Sequence, residues 1–409
     1  MKKVICLFFA VMTCVTTAVF AKPVGVTVKK TSEGGYTLLV GKKPFLVKGV
    51  CYSPVIPGKD YGYNFWKDIA EIEKDAALMK EAGINVVRFY APGDSVEETR
   101  AVIKLLYEKY GIYSIVGHWL GLWNYPYPFY ADEAFRLDLK NKVLEFVKEL
   151  KDTPGILMWG LGNENNFSFS GKIAPWTSPE LTAIESPTDK LNAKAKIYYS
   201  MVNDLAKAIK ALDPVHPVAM GNGELMTLDQ AKLYTPDVDV LALIFYRGKS
   251  FGNMFDRVKV IYDKPFMMFE MGCDAYHAVK KSEDQNIQAE FILDQWVDLY
   301  KHTTASGNKA GNAIGGIVFE WNDEWWKHTA DKPDTWATHD TEAGWSNGAY
   351  YFDVQAERNL NMNEEWFGLF SYEQDATGSW IKHPRKAYYA LKDFFKDPAP
   401  YLVKPTKKK

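Results

Sequence analysis

Eight short apolar runs recur along this chain, with amphipathic segments between them. The runs are PFLVKGVCY (44–52), INVVRFY (84–90), IYSIVGHW (112–119) and ILMWGLGN (156–163), followed by HPVAMGN (216–222), VDVLALIFY (238–246), KPFMMFE (264–270) and IGGIVFEW (314–321). Runs this uniformly apolar suit parallel strands buried on both faces. The segment at 65–83 places Ile69, Ile72, Ala76 and Met79 on one helical face, with Gly83 as a stop. The same spacing returns at 132–152, 195–213, 285–303 and 385–395. Eight strands alternating with helices predict an α/β fold, a single (β/α)8 TIM barrel. An open doubly wound sheet needs a Gly-rich phosphate loop after its first strand, and CYSPVIPG (51–58) is unlike one.

The parts outside the barrel read differently. Residues 1–21 have a basic start, an apolar stretch and Val19-Phe20-Ala21 at the end. That is the pattern of a cleaved signal peptide, and the apolar stretch falls short of the roughly 20 residues a membrane span needs. The expectation is an exported protein, periplasmic or secreted, with no membrane span in the mature chain. Residues 22–43 alternate as an N-terminal β-hairpin extension, 44–396 form the catalytic barrel, and 397–409 form a basic C-terminal tail. A long loop at 322–380 follows the eighth strand and carries Trp325, Trp326, Trp336, Trp345, Trp366 and Trp380. Loops of that length inside a compact domain are usually functional.

A formal net charge of −2 argues against nucleic acid or an anionic membrane as partner. Cys51 and Cys273 remain after the leader, which leaves both a disulfide and two buried thiols open. The histidines are scattered without ligand spacing, so no metal and no organic cofactor is implied.

In such a barrel the active site lies at the C-terminal ends of the strands. Those ends hold Arg88-Phe89-Tyr90, His118-Trp119, Asn163-Glu164, Asn222-Gly223-Glu224, Tyr246-Arg247, Glu270 and Trp321-Asn322-Asp323. Carboxylates, hydrogen-bond donors and flat rings together are what a sugar needs, so a carbohydrate is the expected substrate. Cleaving a glycosidic bond takes one protonated acid for the leaving oxygen and a second carboxylate for the anomeric carbon or a water. Glu164 and Glu270, ending strands four and seven, can face each other across the mouth. Asn163 would meet a substrate hydroxyl, while Tyr246 and Arg88 would orient Glu270 and hold it ionised. His118, Trp119, Trp321 and Asp323 complete the expected substrate contacts. Glu224, Glu320, Glu324 and Asp274 stand as rivals or neighbours of the second carboxylate.

The motifs WGLGNEN (159–165), KPFMMFEMG (264–272), NVVRFY (85–90), VLALIFYRG (240–248) and GGIVFEW (315–321) resemble glycoside hydrolase clan A. Their wording is closest to the family 2 catalytic barrel, and VKGVCYSP and FEMGCD are also similar to cell-wall glucan transglycosylases. The resemblance implies Glu164 as acid/base and Glu270 as nucleophile of a retaining β-glycosidase, with carboxyls about 5–5.5 Å apart. It also implies Asn163 at the sugar 2-hydroxyl and Trp321 as the floor of the −1 subsite. Asn165-Asn166 and Met271 depart from the usual pattern. A transglycosylase using the same covalent intermediate is the alternative, and a non-catalytic carbohydrate-binding protein a third.

Overall fold

The computed structural model describes residues 23–122, 129–171, 173–327, 329–342 and 344–402. The leader at 1–21 and the basic run of the tail at 404–409 lie outside these.

Eight parallel strands close into a barrel: β1 (Val47–Cys51), β2 (Val86–Phe89), β3 (Tyr113–His118), β4 (Ile156–Leu161), β5 (Val218–Gly223), β6 (Val240–Ile244), β7 (Phe266–Met271) and β8 (Ala313–Val318). Each pairs with its neighbours in chain order, and β8 returns to β1, as Ile317 opposite Gly49 records. β2 and β4 to β8 are buried at every residue. That is why their sequences run apolar instead of alternating. The closing seam is tight: a Cβ on Gly315 would lie 2.1 Å from the Val47 carbonyl, so only glycine fits there.

A helix or helices follow each strand: α1 (Ile69–Glu81), α2 (Val96–Tyr110), α3 (Glu133–Leu150), α4 (Pro187–Leu212), α5 (Leu228–Tyr234), α6 (Met254–Tyr262), α7 (Gln285–Lys301) and α8 (Lys386–Lys396). Ile72, Ala76 and Met79 are the buried stripe of α1, while Ile69 is exposed. Asp132 starts α3 by accepting from the Ala134 and Phe135 amides. The periodicity overlooked α2, although Ser95 caps it through the Glu98 amide at 3.1 Å. It also overlooked the short α5 and α6.

An antiparallel hairpin, Val26–Lys30 with Tyr36–Val40, lies under the barrel. Its Val26 and Tyr36 amides donate to the Val215 and Gly311 carbonyls, just ahead of β5 and β8. The long segment after β8 is not structureless. It contains two short strand pairs, Trp345–Ser346 with Leu360–Met362 and Phe370–Gln374 with Trp380–Pro384. Backbone bonds between Glu320 and both Phe367 and Leu369, and between Phe370 and Trp321, lay it along the end of β8. The Phe319–Glu320 peptide bond there is cis.

Candidate active site

Arg88 occupies the third position of β2 and is 1% exposed. A buried guanidinium is costly unless its donors are met. Here Nη1 donates to Glu270 Oε1 at 2.8 Å and to the Phe269 carbonyl at 3.0 Å, and Nη2 donates to Asn163 Oδ1 at 2.6 Å. The group lies over the Phe269 and Tyr90 rings, 3.5 and 4.2 Å from their centroids. One cation thus ties the ends of β2, β4 and β7 together.

Glu270, on β7, is buried and fully engaged. Besides Arg88, the Tyr90 hydroxyl donates to Oε1 at 2.7 Å and the Tyr246 hydroxyl to Oε2 at 2.8 Å. Burial above all pushes both phenols well above their ordinary range, so they stay protonated donors.

Glu164 stands two residues past Gly162, whose φ is +74°. A Cβ on Gly162 would meet the Tyr198 hydroxyl at 2.4 Å. The two asparagines after Glu164 then clamp the turn. Asn165 accepts from the Asn163 amide at 2.7 Å and donates to the Trp119 carbonyl and the Tyr130 hydroxyl. Asn166 exchanges two 2.8 Å bonds with the backbone of Gly223. Asn165-Asn166 therefore joins the end of β4 to the ends of β3 and β5.

The Glu164 side chain, half-buried, accepts no hydrogen bond among the described residues. Burial pushes its carboxyl well above the ordinary range, and the Glu270 and Glu364 charges add to that, while Lys327 and Arg88 oppose it. The two carboxylates are therefore held differently, one in a cage of donors and one raised and unbonded.

The rest of the mouth comes from β8 and the segment after it. The Phe319 ring stands edge-on to Tyr246 with centroids 6.2 Å apart, and Lys327 Nζ lies 5.7 Å over Phe319. Lys327 pairs with Glu324 at 2.9 Å and Glu364 at 3.8 Å. Trp119 stacks on Tyr90 at 4.8 Å.

Three expected substrate contacts are placed elsewhere. His118 lies parallel to Phe146 of α3 with centroids 6.0 Å apart, and its Nδ1 accepts from the Leu120 amide. Burial, with Lys142 nearby, lowers its pKa to about 4, so it is a neutral packing group between barrel and helix. Asp323 forms a buried two-pronged pair with Arg385 at 2.5 and 2.7 Å and accepts from the Gly368 amide. The Trp321 indole packs on Phe370 and Tyr388, centroids 4.4 and 6.2 Å away, and Phe319 is the strand-eight ring that meets Tyr246. Among the rivals, Glu224 is bonded to Arg247, and Asp274 accepts from Tyr350 and the Asn363 amide. Cys51 and Cys273 are both buried and free.

Reasoning from strand ends passed over Tyr90, Phe319, Lys327 and Glu364. Tyr90 had a signal, since it lies two residues from Arg88 and alternation puts both on one face. Lys327 and Glu364 had none, because only the course of the long segment brings them together. Among the described residues, no group of three or more His, Cys, Asp or Glu side chains could hold a metal ion. No helix among them is long and apolar enough to cross a membrane.

The family profile "Glycosyl hydrolases family 2, TIM barrel domain" matches residues 33–391. Solved structures share the fold. They include a GH2 β-galacturonidase from Eisenbergiella tayi at TM-score 0.54 and 15% identity, covering 91% of this chain and 54% of that one. A β-D-glucuronidase from Dictyoglomus thermophilum gives 0.53 and 17%, covering 91% and 54%. The β-glucuronidase from Ruminococcus gnavus gives 0.55 and 15%, covering 91% and 53%. The chain spans about half the length of these structures. No curated protein matches its sequence.

Proposed function

The chain belongs to glycosyl hydrolase family 2, through the TIM barrel domain matched over residues 33–391, and from that premise we propose that it is a retaining β-glycosidase. Glu164 is the general acid/base and Glu270 the nucleophile. The observation that carries this reading is the unequal treatment of the two carboxyls. Glu270 receives Arg88, Tyr90 and Tyr246 as donors. Glu164 accepts none among the described residues and is raised by burial and by the charges of Glu270 and Glu364. Environments that separate two carboxyls in this way assign them opposite proton roles.

The glycosidic oxygen takes the Glu164 proton as Glu270 attacks the anomeric carbon and the aglycone leaves. Glu164, now a carboxylate, deprotonates the water that releases the sugar from Glu270 with its configuration retained. Arg88 and the two tyrosines, all donating to its carboxylate, keep Glu270 aimed. Asn163, itself fixed by Arg88, presents its amide beside the acid. Trp119, stacked on Tyr90, supplies a flat face for a pyranose at that edge.

The test is mass spectrometry of the protein incubated with a 2-deoxy-2-fluoro aryl β-glycoside panel. A covalent adduct on the peptide holding Glu270, absent in Glu270→Gln, is expected; an adduct elsewhere would sink the assignment. Products longer than the substrate at high acceptor concentration would move the reading to transglycosylation. Export is part of the same proposal, on the strength of the leader-like residues 1–21. The mature chain should begin at Lys22, which N-terminal sequencing decides.

A further inference from the structure

A sugar carrying a carboxylate needs a cation that is free to meet it, because a charge entering a partly dry site without a partner is costly. Among the described residues, the cations nearest Glu270 and Tyr246 are Arg88, Arg247 and Lys327, and each is committed to a carboxylate. Arg88 spends its Nη donors on Glu270, Phe269 and Asn163. Arg247, next to Tyr246, donates Nε to both Glu224 oxygens at 3.1 and 3.2 Å, and Nη2 to one of them. Lys327 faces Glu324 at 2.9 Å and Glu364 at 3.8 Å. The His339 ring stacks between Trp325 and Trp366, and burial keeps it neutral.

Carboxyls, by contrast, are in surplus. Glu164, Glu270, Glu320, Glu324 and Glu364 stand against Arg88 and Lys327. Glu320 is 2% exposed, and its Oε1 has no partner among the described residues. The contacts run unbroken from Glu270 through Tyr246 and Phe319 to Lys327 and its two carboxylates. Sugar hydroxyls or an ammonium group would find acceptors here, and a carboxylate would find Lys327 already paired with Glu324 and Glu364.

We propose that the substrate is a β-glycoside whose sugar carries no carboxylate, and that Glu364 and Glu324 exclude uronic acids by occupying Lys327; this rests on the glycosidase reading above. The full chain would be assayed with 4-nitrophenyl β-glucuronide and β-galacturonide beside the β-glucoside, β-galactoside, β-mannoside and 2-amino-2-deoxy-β-glucoside. The uronides should fall at least about tenfold in kcat/KM below the best of the others, the factor given by ~1.4 kcal/mol. Glu364→Gln and Glu324→Gln should each raise the uronide-to-neutral ratio, by roughly tenfold for one charge removed.

A uronide that is the best substrate, or a ratio unmoved in both variants, overturns the proposal. Activity surviving in Glu270→Gln would instead refute the nucleophile while leaving the substrate ranking to stand on its own. If no glycoside is turned over, calorimetry with an iminosugar bearing a C6 carboxylate and its hydroxymethyl counterpart decides. Tighter neutral binding supports the proposal, and tighter uronate binding, or binding of neither, overturns it.

Discussion

The Tyr246 hydroxyl lies 2.8 Å from Glu270 Oε2, the carboxylate oxygen that Arg88 and Tyr90 leave untouched. It alone among the described donors aims that oxygen. Tyr246→Phe removes the bond and keeps the ring that packs on Phe319 and Phe367. A hydrogen bond to a charged group contributes about 1.5–3 kcal/mol, so kcat/KM should drop roughly 10- to 150-fold. Steady-state kinetics beside a melting curve checks this, and a loss traced wholly to unfolding would contradict it.

Arg88 holds Glu270 and Asn163 with two different nitrogens, which a lysine cannot do from one point charge. Arg88→Lys should therefore fold and lose most activity. Arg88→Met leaves Glu270 buried without its cation and should cost about 3–5 kcal/mol of stability. Urea unfolding of the three proteins ranks them, and a Met variant as stable as the parent would refute the pairing argument.

Only the protonated form of Glu164 donates a proton, and its pKa lies above the ordinary carboxyl value. kcat/KM should therefore fall as pH rises through that raised pKa, on a basic limb above pH ~4.3. The neighbours should move this limb in opposite directions. Glu364→Gln removes a like charge and shifts it to lower pH; Lys327→Met removes a cation and shifts it to higher pH. Both shifting the same way would show that the limb belongs to another group.

Asp323 and Arg385 are buried together, each about 1% exposed or less. Asp323→Ala should destabilise the protein by about 3–5 kcal/mol, because it strands the guanidinium that also bonds Glu283 and the Gly368 carbonyl. KM should stay at the parent value for every substrate cleaved. A raised KM at unchanged stability would return Asp323 to the sugar.

The barrel was legible because both-face burial writes itself as eight apolar runs, and Glu164 and Glu270 stood out because a carboxylate ends a run that is otherwise hydrophobic. What a strand end does not reveal is which way a side chain turns. His118 closes β3 yet faces Phe146 in the helical layer. On β8 the regular ladder stops at Val318, and just beyond it Phe319 meets Tyr246 while Trp321, which the resemblance put at the sugar, packs on Phe370 and Tyr388. Asp323 looked like a loop acid because its partner, Arg385, lies 62 residues further on. The Lys327 and Glu364 pair was hidden for the same reason, since sequence separation carries no trace of a loop's return path.

The hairpin at Val26–Lys30 and Tyr36–Val40 fastens to Val215 and Gly311, at the base of the barrel away from Glu164 and Glu270. A bead, a lipid or a neighbouring protein grafted there would hold the molecule like a cup by its foot, with the rim still turned outward to passing glycan.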